Sequence, residues 1–318
     1  MFEHILVPLD GSVLAESVLP HALAVADSCG SQLTLMHVLD QATTHTPVDP
    51  SRWYFCKVEG QAYLQDVCRR LYDLRWQSAT VLDEGQAADC IIRYTHDNQI
   101  SLIAMSSHGR SGLSGWNISS VVQKVLLRAA TSVLIVPAYR SFQADLSRIN
   151  YRRIMIPLDC SQRAEVVLPI GAKLAGLQGG ALHLVHIVSR PMLPSNLPLT
   201  PEEHQLCDQV VERNQSQAMH YLAELQSRFA GHSLDVQTYV EVSETPLETL
   251  HELVEAVQPD LVLLSAHGST GYCRWPYGSV TLSFIAYGSQ PLLILQDLLP
   301  AHIRPSLAEL AAREQPVH

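Results

Sequence analysis

Short apolar runs alternate along this chain with longer stretches of helical periodicity. Residues 5–9 form the first run, closed by Asp10-Gly11-Ser12. Ser12 reads as the N-cap of a helix over 14–29, and Pro20 inside that pattern predicts a kink or a short first segment. Residues 32–39 predict the second strand, followed by a long loop carrying Thr43, Thr44, Pro47 and Pro50. A helix over 56–74, a weak strand at 79–82 and a helix over 86–97 come next. The fourth strand, 102–105, runs into a glycine-bearing loop; a helix over 118–130 and a fifth strand at 133–136 complete the series. The strands are apolar throughout instead of alternating, which predicts parallel sheet covered on both faces.

The series then repeats. Ile5-Leu-Val-Pro-Leu-Asp10 recurs as Ile154-Met-Ile-Pro-Leu-Asp159, 149 positions on, and Leu19-Pro20 and His37-Val38 recur at the same offset as Leu168-Pro169 and His186-Ile187. His108-Gly109 and Val136 recur as His267-Gly268 and Leu295, now 159 positions on. Register kept at four separate places marks an internal duplication. We expect a first domain over 1–140, a second over 150–297, and a C-terminal tail over 298–318. The second half spells two capping boxes, Thr200-Pro201-Glu202-Glu203 and Thr245-Pro246-Leu247-Glu248. The tail spells another at Ser306, with a stripe of Leu307, Leu310 and Ala311 that predicts a short docked helix.

Composition changes this picture little but excludes several classes. A net charge of −10 argues against non-specific nucleic-acid binding. No apolar run approaches a membrane span, and Glu3 and Asp10 interrupt any secretory leader pattern. Seven scattered cysteines without Cys-x-x-Cys fit a reducing, cytoplasmic compartment.

Candidate chemistry gathers where the strand order reverses. In an open parallel sheet ligands sit beyond the carboxyl ends of the strands at that point. Strands one and four would flank it, bringing Asp10 beside Ser106, His108, Gly109 and Arg110, and Asp159 beside Ser265, His267 and Gly268. Small-residue loops opening a helix, at Ser119-Ser120 and Gly278-Ser279, suit phosphate. The carboxylates suit ribose hydroxyls, and Val38 and Ile187 would give a base an apolar rest. The bland alternative is that Asp10 and Asp159 cap the helices that follow. The histidines lack zinc-type spacing, so no metal is expected. No Gly-Lys-Ser/Thr triplet and no Gly-x-Ser-x-Gly elbow occurs, and no catalytic residue can be named.

At these residues the sequence resembles the universal stress protein family in its tandem form, over nearly the whole chain except linker and tail. The family's nucleotide motif is Gly, two residues, Gly, nine residues, Gly, then Ser or Thr. Gly268 and Gly278-Ser279 match it, with Ser265 in first place; Gly109 matches in the first half, with Ser106 first and Ser119-Ser120 at the end. By resemblance, the fold is α/β, Rossmann-like and of the adenine nucleotide alpha hydrolase type. It comprises two tandem five-stranded parallel sheets of order 3-2-1-4-5 with helices on both faces. The cofactor implied is ATP, with or without Mg²⁺. The halves are expected to pair through their fifth strands as an internal pseudo-dimer, and further homo-oligomers are compatible with this. Three functions are weighed: an ATP-binding stress or signalling regulator, a slow ATPase or phosphotransferase, and a nucleotide-free interaction module. The regulator is preferred to an enzyme because no base is identifiable. Between the halves, Gly278-Ser279 favours the second and Arg110 the first; loop shape outweighs one exposed charge.

Overall fold

The computed structural model describes residues 2–39, 50–110, 118–138, 149–177, 179–191, 200–230, 234–269 and 276–297. The first half runs β1 (His4–Leu9), α1 (Val13–Glu16), α2 (Leu19–Cys29), β2 (Gln32–Leu39), α3 (Pro50–Asp73), β3 (Ser78–Glu84), α4 (Ala87–Asp97), β4 (Leu102–Ser106), α5 (Ser120–Arg128) and β5 (Ser132–Val136). The second runs β6 (Arg153–Pro157), a 3₁₀ turn (Ala164–Val167), α6 (Leu168–Gly176), β7 (Ala181–Ser189), α7 (Pro201–Phe229), β8 (Asp235–Ser243), α8 (Pro246–Val257), β9 (Leu261–Ser265), α9 (Ser279–Tyr287) and β10 (Leu292–Leu295).

Each half has the strand order 3-2-1-4-5, but the two sheets are one. The full order is β3-β2-β1-β4-β5-β10-β9-β6-β7-β8. Every neighbouring pair is parallel except β5 with β10, which is antiparallel and centred on Leu134 facing Leu293. Those two leucines are equivalent positions of the repeat, so the contact is isologous. The physical reason for one sheet is that β5 and β10 are apolar on both faces; left as free edges they would expose unpaired N–H and C=O groups. The linker stretch 139–148 and the tail 298–318, with Leu307, Leu310 and Ala311, lie outside the described residues.

The core follows the apolar runs. Ile5, Val7 and Leu9 bury under α2 and α3 on one face, and that layer continues through Ile154, Ile156 and Leu263 under α6 and α7. Leu6, Met36 and Ile103 bury under α4 and α5 on the other, continuing to Val262 and Ile294 under α8 and α9. Each such side chain stabilises the fold by about 1.5–3 kcal/mol. Both layers cross the joint between the halves, where α2 also packs on α6.

Local signals mostly hold. Pro20 sits in the first turn of α2, separate from α1, so the interruption is a break between helices. Thr200 and Glu203 form the capping box of α7. The box at Thr245 is not formed: its side chain caps nothing, and its N–H donates to Ser243 Oγ at 3.0 Å. α3 begins at Pro50, ahead of residue 56, so Pro50 belongs to the helix and not to the expected loop; 40–49 lie outside the described residues.

Candidate functional site

β1 and β4, and likewise β6 and β9, are neighbours whose chains leave the carboxyl edge in opposite directions. In each half an aspartate closes the first strand and a glycine loop follows the fourth, and the two touch. Asp10 Oδ1 accepts from Ser12 N at 3.0 Å and Ser12 Oγ at 2.6 Å, while Oδ2 accepts from Arg110 N. Asp159 repeats the pattern: Ser161 N at 3.1 Å, Ser161 Oγ at 2.6 Å, and Ser269 N. The cap of α1 is Ser12, whose Oγ accepts from Ala15 N, and Ser161 Oγ likewise accepts from Ala164 N at the start of the 3₁₀ turn, both at 3.1 Å. The aspartates therefore act as latches between the first-strand and fourth-strand loops.

This latch explains the glycines. A Cβ on Gly109 would lie 2.0 Å from Asp10 Oδ2, and one on Gly268 would lie 2.1 Å from Asp159 Oδ2. No side chain fits there. Burial by itself would raise the Asp159 pKa, but the Ser161 hydroxyl, the Ser269 and Ser161 N–H groups and the Ser269 hydroxyl together hold it below the usual carboxylate value.

The serines that stand where the family has glycine meet no backbone conflict. Ser106 and Ser265 have no positive φ, and Ser119 has φ −72°. Ser106 Oγ accepts from Ser17 Oγ at 3.2 Å; Ser265 Oγ donates to His267 O. Each loop returns to where it left: Ser119 N donates to Ser107 O and Gly278 N to Ala266 O, both at 2.8 Å. The helices that open there differ. Ser119 caps α5 by accepting from Val122 N at 3.4 Å, whereas Gly278 leaves α9 without a side-chain cap. Ser120 and Ser279 are exposed at the first helical position.

The remaining candidates fall around this edge. Val38 and Ile187 are half-buried against the α4/α5 and α8/α9 layer. His37 and His186 each donate from Nδ1 to the last carbonyl region of the neighbouring strand, Leu9 O and Leu158 O, both at 2.7 Å. His108 and His267 bring backbone to the site but not imidazole. Both rings are buried, with His108 Nδ1 3.1 Å from Ser107 Oγ and His267 Nδ1 2.7 Å from Asp297 Oδ1. Arg110 is exposed over Gly11, where a Cβ would meet its Nη2 at 3.1 Å. Tyr277, just before the start of α9, is buried in the core, and burial pushes its hydroxyl pKa up.

Two groups near the site escaped the sequence reading. Glu16 takes Arg70 Nη2 at 2.8 Å, with the half-buried Tyr63 beside it. Glu165 accepts from Tyr221 OH at 3.1 Å and pairs with Arg228 Nη1 at 3.0 Å. These triads tie the loops after Asp10 and Asp159 to the outer helices α3 and α7. The repeat could have shown them: Tyr and Arg stand seven apart in both helices, on one face, and both glutamates stand six after their aspartate.

Two doubly wound units in one chain, each with a strand-end aspartate latched to a glycine loop, define a tandem α/β protein with ligand-type geometry at each switch point. The profile of the universal stress protein family matches residues 1–137 and 150–296, and the chain belongs to that family. It is 28% identical over 147 residues to universal stress protein YxiE of Bacillus subtilis (strain 168), covering 43% of this chain and 99% of the relative. Among solved structures it is similar to a universal stress protein of Archaeoglobus fulgidus, with TM-score 0.64 and 17% identity over 92% of this chain and 98% of the other. A functionally unknown protein of Pseudomonas aeruginosa PAO1 matches with TM-score 0.65 and 17% identity, over 98% of both chains. At those identities the likeness is one of fold. Among the described residues, no helix is long and apolar enough to cross a membrane.

Proposed function

We propose that this tandem universal stress protein binds an adenine nucleotide, ATP foremost, at the carboxyl edge of its second half, and responds by conformation instead of by turnover. One observation carries the reading: the first turn of α9 has no side-chain cap and opens opposite the Asp159–Gly268 latch. Uncapped N–H groups at a helix start favour an anion. Phosphates would rest on that turn and on the backbone of Gly268, ribose hydroxyls on Asp159, and the base on Ile187. Asp159 already accepts from the N–H and hydroxyl groups of Ser161 and Ser269, so a ribose hydroxyl would replace a serine hydroxyl, which turns aside at little cost. Magnesium, where it accompanies ATP, would be carried by the phosphates.

The buried rings of His108 and His267 favour a regulator over an ATPase, because neither offers a base at the ligand's side. Free thiols at Cys29, Cys56, Cys68, Cys90, Cys160 and Cys207 support a reducing, cytoplasmic setting. The first half keeps the latch, but Ser119 fills its helix start.

Titration of ATP by calorimetry into the full chain, and into Gly278→Trp and Ser119→Trp variants, tests this. We expect binding to be lost in Gly278→Trp and kept in Ser119→Trp. The reverse pattern moves the site to the first half. No heat with any of the three leaves the interaction-module reading standing.

A further inference from the structure

Beyond the motif residues, a charged chain of side chains runs behind the second loop, and its arginine and aspartate have uncharged equivalents in the first half. Arg163 Nε lies 2.7 Å from Asp297 Oδ2, as an ion pair without hydrogen-bond alignment. Asp297 Oδ1 lies 2.7 Å from His267 Nδ1. The His267 and Asp297 side chains are 1% and 7% exposed. The three residues come from three places: Arg163 follows Asp159 by four positions, His267 precedes Gly268, and Asp297 follows β10 by two. They therefore join the loop that carries the aspartate to the loop that carries the glycine, from behind.

The first half solves the same problem with neutral groups. The equivalents of Arg163, Asp297 and Ala266 are Leu14, Ala138 and Ser107. Ser107 Oγ accepts from Ala138 N at 3.0 Å and meets His108 Nδ1 at 3.1 Å. That bridge ties the loop to the end of β5. A buried, hydrogen-bonded carboxylate holds its partners more strongly than a hydroxyl, and removing it leaves a partner buried and unsatisfied.

We propose that Asp297 is a positioning residue for the second-half nucleotide site, acting through His267 and Arg163 to hold Gly268 and Ser269 against Asp159. This rests on the nucleotide reading above, so its test has one arm with nucleotide and one without. The first arm measures ATP affinity by calorimetry in the Ser119→Trp background, with and without Asp297→Asn. Affinity is expected to fall about tenfold on loss of the carboxylate. Adding Ala266→Ser to Asp297→Asn copies the serine bridge of the first half and is expected to recover most of that loss, which a general loss of stability would not allow.

The second arm follows backbone hydrogen exchange in the ligand-free chain. Asp297→Asn is expected to speed exchange at Gly268 and Ser269 about tenfold while leaving Gly109, Arg110 and strand β10 unchanged. Unchanged affinity in Asp297→Asn, where the parent binds, overturns the proposal and leaves the nucleotide reading intact. A parent that binds nothing overturns the nucleotide reading, and with it the functional part of the proposal. Unchanged exchange at Gly268 and Ser269 overturns the positioning role in either case.

Discussion

The two halves hold the same aspartate–glycine latch with different surroundings. In the first, Asp10 meets a loop whose next residue is Arg110, the turn after it is Gly11, and Ser119 caps the following helix. In the second, Ser269 replaces Arg110, Cys160 replaces Gly11, Gly278 leaves the helix open, and Arg163–Asp297–His267 braces the loop. The guanidinium over Gly11 would lie 3.1 Å from a Cβ there and would have to shift slightly, whereas in the second half, where a serine stands in place of that arginine, the turn carries the side chain of Cys160. Among the described residues the two halves thus share the backbone latch, while the first places a cation at the front of its loop and the second an ionic chain behind it.

The joint between the halves shows a similar asymmetry, and the largest effect we expect lies there. α2 and α6 meet across the pseudo-twofold, one with His21 and the other with Ile170 at the equivalent position. His21 Nδ1 lies 2.8 Å from the hydroxyl of the fully buried Tyr151, and burial pushes the histidine pKa down to about 4. Folded protein thus stays neutral at this site while the unfolded chain takes a proton near 6.5, the ordinary histidine value. Between these values the unfolded state binds more protons, so stability present above pH 6.5 is lost as pH falls toward 4. The loss at this site should reach about 3 kcal/mol. Denaturant melts of the parent and of His21→Leu across that window check it. The parent should lose stability with falling pH more steeply than the variant; parallel curves would remove His21 from the account.

Alanine at the two latch glycines separates the halves directly. Gly109→Ala and Gly268→Ala each press a Cβ onto a carboxylate, at 2.0 and 2.1 Å. One of the loops must move, at about 1–3 kcal/mol. The braced second loop has less room to yield, so Gly268→Ala should cost the more, by about 1 kcal/mol. Equal losses in urea melts would show that the ionic chain adds no rigidity.

Much of this comparison was legible in the sequence, for physical reasons. Continuous apolar runs mark the strands, and the run over 32–39 coincides with β2, because a central parallel strand is buried on both faces. The signal at 79–82 falls short of β3, Ser78–Glu84, because that strand lies at the edge of the sheet and its polar, partly exposed ends give no apolar signal. The aspartates and glycine loops stood out because the repeat spelled them twice. The brace did not, since Arg163, His267 and Asp297 lie far apart in the chain and only the fold brings them together. The helix-cap alternative for Asp10 and Asp159 was close in type but not in role. Both accept the N–H of the serine two residues on, and it is those serines whose hydroxyls take the N–H groups of Ala15 and Ala164.

The smallest effect concerns the turn itself. Cys160 has φ +63°, in the left-handed region, where Gly11 has φ +82°. A non-glycine residue there costs about 1–2 kcal/mol. Glycine removes that cost but widens the unfolded ensemble, taking back about 0.5–1 kcal/mol. Cys160 also gives up a contact of 3.7 Å between Sγ and His186 Nδ1. That contact is weak, because burial first, then Asp159 and Glu165, raise the thiol pKa and keep it protonated. Cys160→Gly should therefore stabilise the chain by about 0.5 kcal/mol, a rise in Tm of about 1–2 °C. The reverse change, Gly11→Cys, should destabilise it, since Arg110 must also move aside. Calorimetric melts of both variants give the sign. A fall in Tm for Cys160→Gly would mean that the cysteine side chain holds the turn more firmly than its geometry suggests.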